Sequence, residues 1–158
     1  MTATLRFGYD GDDGLGDRLL ESVLRGDKTA TSSLAVEYLS GEPLPRVGQH
    51  LTLVDSQGIA RGTVQTTGVT TTPLNLVGDD VARAEGEGFA SAAEWRHAHV
   101  SFWDHVAALV RADAGDPAWQ LREAEPVVVH WFRLAADRYH GESPTISQPR
   151  PRDGFGAA

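Results

Sequence analysis

A chain of 158 residues with 41% hydrophobic and 23% charged side chains has the length of one domain and an ordinary globular composition, which excludes collagen-like and wholly disordered classes. The absence of cysteine removes disulfide frameworks, thiolate zinc sites and a cysteine nucleophile together, and fits a reducing cytoplasm. Fourteen basic against 22 acidic side chains, a formal charge of -8, argue against non-specific DNA binding by a basic face.

From Asp13 to Gly26 the apolar residues Leu15, Leu19, Leu20, Val23 and Leu24 recur at helical spacing, and Gly26 stands where a helix would end, so an amphipathic helix is predicted. A polar, hydroxyl-rich segment from Lys28 to Ser33 follows. Leu34 to Leu39 then reads as one or two further helical turns, which sets the hydroxyls between two helices. His50 to Val54 has strand composition, a turn falls at Asp55 to Gly58, and the Thr- and Val-rich stretch from Ile59 to Thr72 suits one or two strands returning against it.

Leu74 to Glu85 carries weak helical signals that Gly86-Glu87-Gly88 interrupts. A long helix is predicted from Ser91, whose hydroxyl can cap while Glu94 reaches back, through Ala112, with Trp95, His99, Phe102, Val106, Leu109 and Val110 along one stripe. Pro126 to Leu134 reads as a final strand. This order lacks the alternation of a doubly wound sheet and points to an α+β fold with a small curved or barrel-like sheet. One domain over residues 1–139 and a flexible Pro- and Gly-rich tail over 140–158 are expected. No apolar run approaches the ~20 residues needed to span a bilayer, and no basic stretch precedes an apolar block at the N-terminus, so a cytoplasmic chain without a membrane partner is expected.

Thirteen of the 14 cationic residues are arginine, and Lys28 is the lone lysine. An amine can lose its proton when desolvated, whereas a guanidinium stays charged. Beside Lys28 stand Thr29, Thr31, Ser32 and Ser33. Two readings are open: a hydroxyl nucleophile activated by an amine or carboxylate, or a helix C-terminus decorated by a cation and followed by a capping hydroxyl. Glu85 and Glu87 can likewise divide acid and base roles, or form a solvated acidic turn. No histidine pair has the i,i+4 spacing of a helical zinc motif, so no metal is expected; His99 falls on the apolar stripe, whereas His97 and His105 are expected at the surface. Trp95, Phe102 and Trp103 suit either a core or a base-stacking surface. No phosphate-loop or dinucleotide glycine motif occurs.

Taken in order, Gly26-Asp27-Lys28-Thr29-Ala30-Thr31-Ser32-Ser33-Leu34, Glu42-Pro43-Leu44-Pro45 with Gly48, Val54-Asp55 with Gly58, Glu85-Gly86-Glu87-Gly88, and Trp95 with His99 and Phe102 resemble the activating-signal-cointegrator homology (ASCH) domain in its longer bacterial form. The resemblance runs from about Leu15 to Leu134 and is most specific in the G-x-K-T-x-T segment. It implies a PUA-like β-barrel with helices packed around it, and an association with RNA and modified nucleosides. Some small bacterial members hydrolyse the amide of N4-acetylcytidine. The catalytic lysine, threonine and glutamate of those members fall on Lys28, Thr31 and Glu85, with Glu87 as a competitor for the last role. Thr29, Ser33, Glu87 and His99 are the expected substrate-binding residues. The implied function is a metal- and cofactor-independent amidohydrolase on an N4-acylated cytidine or related nucleoside. The alternatives are an RNA-binding or RNA-cleaving module and a nucleoside-sensing domain without chemistry. Two departures from the family pattern stand out: Phe89, where longer members commonly carry an acidic residue, and His130-Trp131, where they carry a charged pair.

Overall fold

The leucines of the first predicted helix all turn inward. In the computed structural model, which describes residues 3–135, α1 (Leu15–Leu24) buries Leu15, Leu19, Leu20 and Val23. Gly26 follows at φ +83°, a left-handed conformation that a residue with a Cβ adopts only at a cost. The tail expected from residue 140 lies outside the described residues.

Five strands form one mixed sheet: β1 (Ala3–Leu5), β2 (Ala30–Leu34), β3 (His50–Val54), β4 (Ala60–Pro73) and β5 (Pro126–Leu134), in spatial order β1-β3-β4-β5-β2. β1 runs parallel to β3, and the other neighbouring pairs are antiparallel. The α+β class therefore holds, but among the described residues the five strands form an open sheet and not the small β-barrel expected. Its end strands, β1 and β2, would have to pair to close it. At the entry to β2, Thr29 donates its N–H to the Ala84 carbonyl at 2.7 Å. The stretch read as one or two strands is the single long β4, which tolerates an extra residue, Thr67, at a bulge between Thr66 and Gly68.

Each face of the sheet is covered. α1 packs with Leu5, Phe7, Leu51, Leu53, Val64 and Phe132 on one side. On the other, α2 (Asp79–Ala84), α3 (Ala92–His105) and α4 (Ala107–Ala114) contribute to a cluster with Ala30, Leu34, Val127 and Val129. The expected continuous helix through Ala112 is interrupted at Val106, whose ψ of 18° lies outside helical geometry. The break rotates α4 relative to α3, so Leu109, predicted on the buried stripe, is 51% exposed while Val110 stays buried. Ser91 accepts from Glu94 N–H as predicted, but the Glu94 carboxylate takes the N–H of Ala90 instead of reaching Ser91. His97 and His105 are exposed, as read from the sequence. Among the described residues no helix is long and apolar enough to cross a membrane.

The largest departure concerns the hydroxyl-rich segment. It does not bridge two helices: Ala30–Leu34 is β2, buried along its whole length and paired with β5, and helical structure resumes only as a 3-10 turn over Ala35–Ser40. Pairing with β5 satisfies the backbone groups that, read locally, suggested caps.

Candidate active site

Two backbone segments are pressed together to make the site. After α1 the chain folds back on its own last turn, with Asp27 and Lys28 both donating to the Ser22 carbonyl at 3.0 and 3.2 Å. That brings the chain against the turn that succeeds α2. Gly86 sits there at φ +65°, and a Cβ on it would lie 2.4 Å from the Asp27 carbonyl oxygen. The glycine between the two glutamates is therefore what lets the segments meet.

Glu85, fully buried, is the hub. Its Oε1 accepts from Ser32 Oγ at 2.5 Å, and its Oε2 accepts from Trp95 Nε1 at 2.8 Å. His99 Nε2 stands 3.0 Å from the same Oε2, and His99 Nδ1 lies 2.8 Å from the Trp95 carbonyl. Both nitrogens of the His99 ring thus face oxygen atoms. Three aromatic rings enclose it: Trp95 stacked at 4.1 Å, with Trp103 at 5.3 Å and Phe89 at 5.8 Å. Such faces favour a cation. Lys28 is buried too, donating from Nζ to the Glu85 carbonyl at 3.3 Å, with the amine 5.5 Å from the Phe7 ring centroid.

The two carboxyls are driven apart. Burial works against charge on Glu85, but His99, Lys28 and the Ser32 hydroxyl outweigh it and hold the group down at about 2. Glu87 is pushed well above its ordinary value by desolvation and by the neighbouring Glu85 carboxyl, with Lys28 only partly opposing. Its Oε1 is enclosed without a hydrogen-bond partner. The two neighbouring carboxyls are thus shifted in opposite directions beside the Lys28 side chain.

Ligand atoms of Glu85, Glu87 and His99 lie within 4.8 Å of one another, close enough to surround a cation. The donor set fits a metal poorly. Both imidazole nitrogens already face oxygens, of the Trp95 carbonyl and the Glu85 carboxyl, and the Lys28 charge acts on both carboxyls.

Thr31 belongs to the other face of its strand. Side chains alternate across a strand, so Ser32 projects toward Glu85 and Thr31 and Ser33 project toward the α1 side. There Thr31 is in register with His130 and Ser33 with Val128. Thr29 turns its hydroxyl as well as its N–H to the Ala84 carbonyl, at 3.4 and 2.7 Å, and so ties the entry of β2 to α2. The fold thus gathers Lys28, Glu85, Glu87 and His99 in one cluster, sets Thr31 and Ser33 across the strand from it, and uses Thr29 as a tie. Sequence reasoning did not single out Ser32 as a partner of Glu85, nor Thr66, whose hydroxyl meets His130 Nε2 at 2.8 Å. Strand alternation would have found Ser32 had the segment been read as a strand. Trp95, Phe102 and Trp103 are buried in the core, which removes the base-stacking reading for them.

A family model for the ASCH domain matches residues 5–136. Among solved structures, the chain is similar to a protein from Enterococcus faecalis V583, with a TM-score of 0.71 and 29% identity over 85% of this chain and 77% of that one. It is also similar to an ASCH domain from Lactobacillus crispatus JV V101, with a TM-score of 0.69 and 28% identity over 84% of this chain and 79% of that one. No curated protein matches it.

Proposed function

Because the chain belongs to the ASCH-domain family, we propose that it is an amidohydrolase acting on an N4-acylated cytidine or a related small amide, with Lys28, Thr31 and the Glu85–Glu87 pair as its machinery. The observation that carries this reading is the gathering of two carboxyls, shifted in opposite directions, beside the buried Lys28 amine. Neighbouring titratable groups held apart in this way divide acid and base roles at neutral pH. Thr31 is the nucleophile on this reading. Lys28 favours negative charge on the attacked carbonyl.

The two glutamates then differ in task. Both oxygens of Glu85 are occupied by Ser32, Trp95 and His99, so its role is to hold the cluster in place. Glu87 keeps its proton and has an oxygen without a partner, which makes it the group that protonates the departing amine.

The test is chromatographic release of cytidine from a panel of N4-acylcytidines, with wild type beside Lys28→Met. Turnover by wild type that is lost in the variant is the expected result. Wild-type protein that binds these nucleosides and returns them intact would replace the enzyme with a nucleoside-sensing domain. RNA binding that falls steeply with salt would favour an RNA-directed role.

A further inference from the structure

We propose that His130 is the proton-exchanging partner of Thr31, with Thr66 fixing its ring, so that the nucleophile's proton leaves toward β5 and β4 instead of toward the Glu85 cluster. This rests on the amidohydrolase reading. Ser32, not Thr31, faces Glu85, so a base for Thr31 must come from Thr31's own side of the strand. The β2–β5 register makes His130 its direct partner there. Directly opposed residues of an antiparallel pair share a face, with Cβ atoms about 4.5–5.5 Å apart.

The ring is held from two further directions. Thr66 Oγ1 meets Nε2 at 2.8 Å, and Phe132 packs edge-on at 5.4 Å and 74°. Thr66 is in register with Phe132, two residues along β5, and the bulge next to it brings Val69 opposite His130. Thr31, Thr66 and His130 are each only 1% exposed, in a layer otherwise built from Phe7, Val64 and Phe132. Three polar side chains at such depth cost stability unless they pair, and a packing role alone would be met by another valine after Val127, Val128 and Val129.

In the acylation half of the reaction, Thr31 Oγ1 forms a bond to the amide carbonyl carbon as its proton passes to His130. The C–N bond breaks while the Glu87 carboxyl protonates the leaving nitrogen, and the amine departs. Water then adds to the threonyl ester and returns one proton to Glu87. His130 restores the Thr31 hydroxyl as the carboxylic acid leaves.

The experiment compares His130→Phe, His130→Gln and Thr66→Val with wild type on N4-acylcytidines, and tracks the imidazole nitrogen resonances of His130 in wild type and Thr31→Val. For both His130 variants kcat is expected to fall about 100-fold or more with KM little changed, since Gln can still pair with Thr66 but cannot take up a proton. Thr66→Val, which only releases the ring, is expected to lose roughly tenfold. Should His130→Phe fail to fold, the Gln variant carries the kinetic arm. Removing the Thr31 hydroxyl is expected to shift the His130 nitrogens. Unchanged kcat in His130→Gln, or unchanged His130 resonances in Thr31→Val, overturns the proposal. If wild type hydrolyses none of the panel, the amidohydrolase reading fails and the resonances alone decide this one.

Discussion

Ser32 and Thr31 are neighbours on one strand, both buried hydroxyls, yet they belong to different parts of the molecule. Ser32 faces Glu85 at the end of α2 and closes a network in which Glu85 is bonded on both oxygens. Thr31 faces the α1 side and shares its layer with His130, Thr66 and Phe7. The contrast teaches that the pleat separates tasks that the linear motif runs together. The Ser32 side is built as a closed hydrogen-bonded unit and should govern stability. The Thr31 side carries the proposed nucleophile and should govern rate.

Substitutions can break or sharpen that division. The largest effect is expected from Lys28→Met, an apolar side chain of similar length in a buried position: amide hydrolysis should drop about 100-fold or more while circular dichroism shows the fold retained. Glu85→Gln comes next and should act mainly on stability. It strips the charge that His99 and Lys28 are arranged around, and urea unfolding should register a loss of about 3–5 kcal/mol. A loss below about 1 kcal/mol would mean that the network does not hold the site together. Ser32→Ala removes one donor from a buried carboxylate and should cost about 1–3 kcal/mol by the same measurement.

The smallest effect concerns pH, and the two glutamates have opposite signs. Glu85 is lowered from 4.5 to about 2 in the folded protein, so its contribution to stability is present above 4.5 and is lost as pH falls toward 2. Glu87 is raised above 4.5, so the folded state binds its proton more tightly than the unfolded chain does. Its contribution is present below 4.5 and disappears as pH rises through the folded value. Glu87→Gln removes that decline. Unfolding curves at a series of pH values should show the variant gaining on wild type as pH rises from about 4, and parallel curves would refute the neutral carboxyl.

Much of the frame was legible. α1 comes from leucines at helical spacing and a terminating glycine, and β3, β4 and β5 from β-branched runs between turns. The two glutamates flanking Gly86 and the lone lysine were legible as candidates, and the structure brings them into one cluster. Less legible were β1, only three residues long, and the break at Val106, which leaves no proline or glycine to announce it. β2 was hidden for a different reason: Thr and Ser are good cap and turn residues as well as acceptable strand residues, and local preference could not decide between them.

The sequence by itself determined the family and the α+β class and narrowed the candidate site to a short set of side chains, since each of these is written in residue type and local spacing. Only the tertiary structure decided which side chains meet. Pairing with β5 turned the hydroxyl segment into a strand, and strand alternation then sent Ser32 to Glu85 and Thr31 to His130. The opposite shifts of Glu85 and Glu87 arise from burial, from His99 on α3 and from their mutual repulsion, while Lys28, more than 50 residues away along the chain, acts on both. Contacts at that separation depend on how the sheet and its two helical layers assemble, a property no window of the sequence contains.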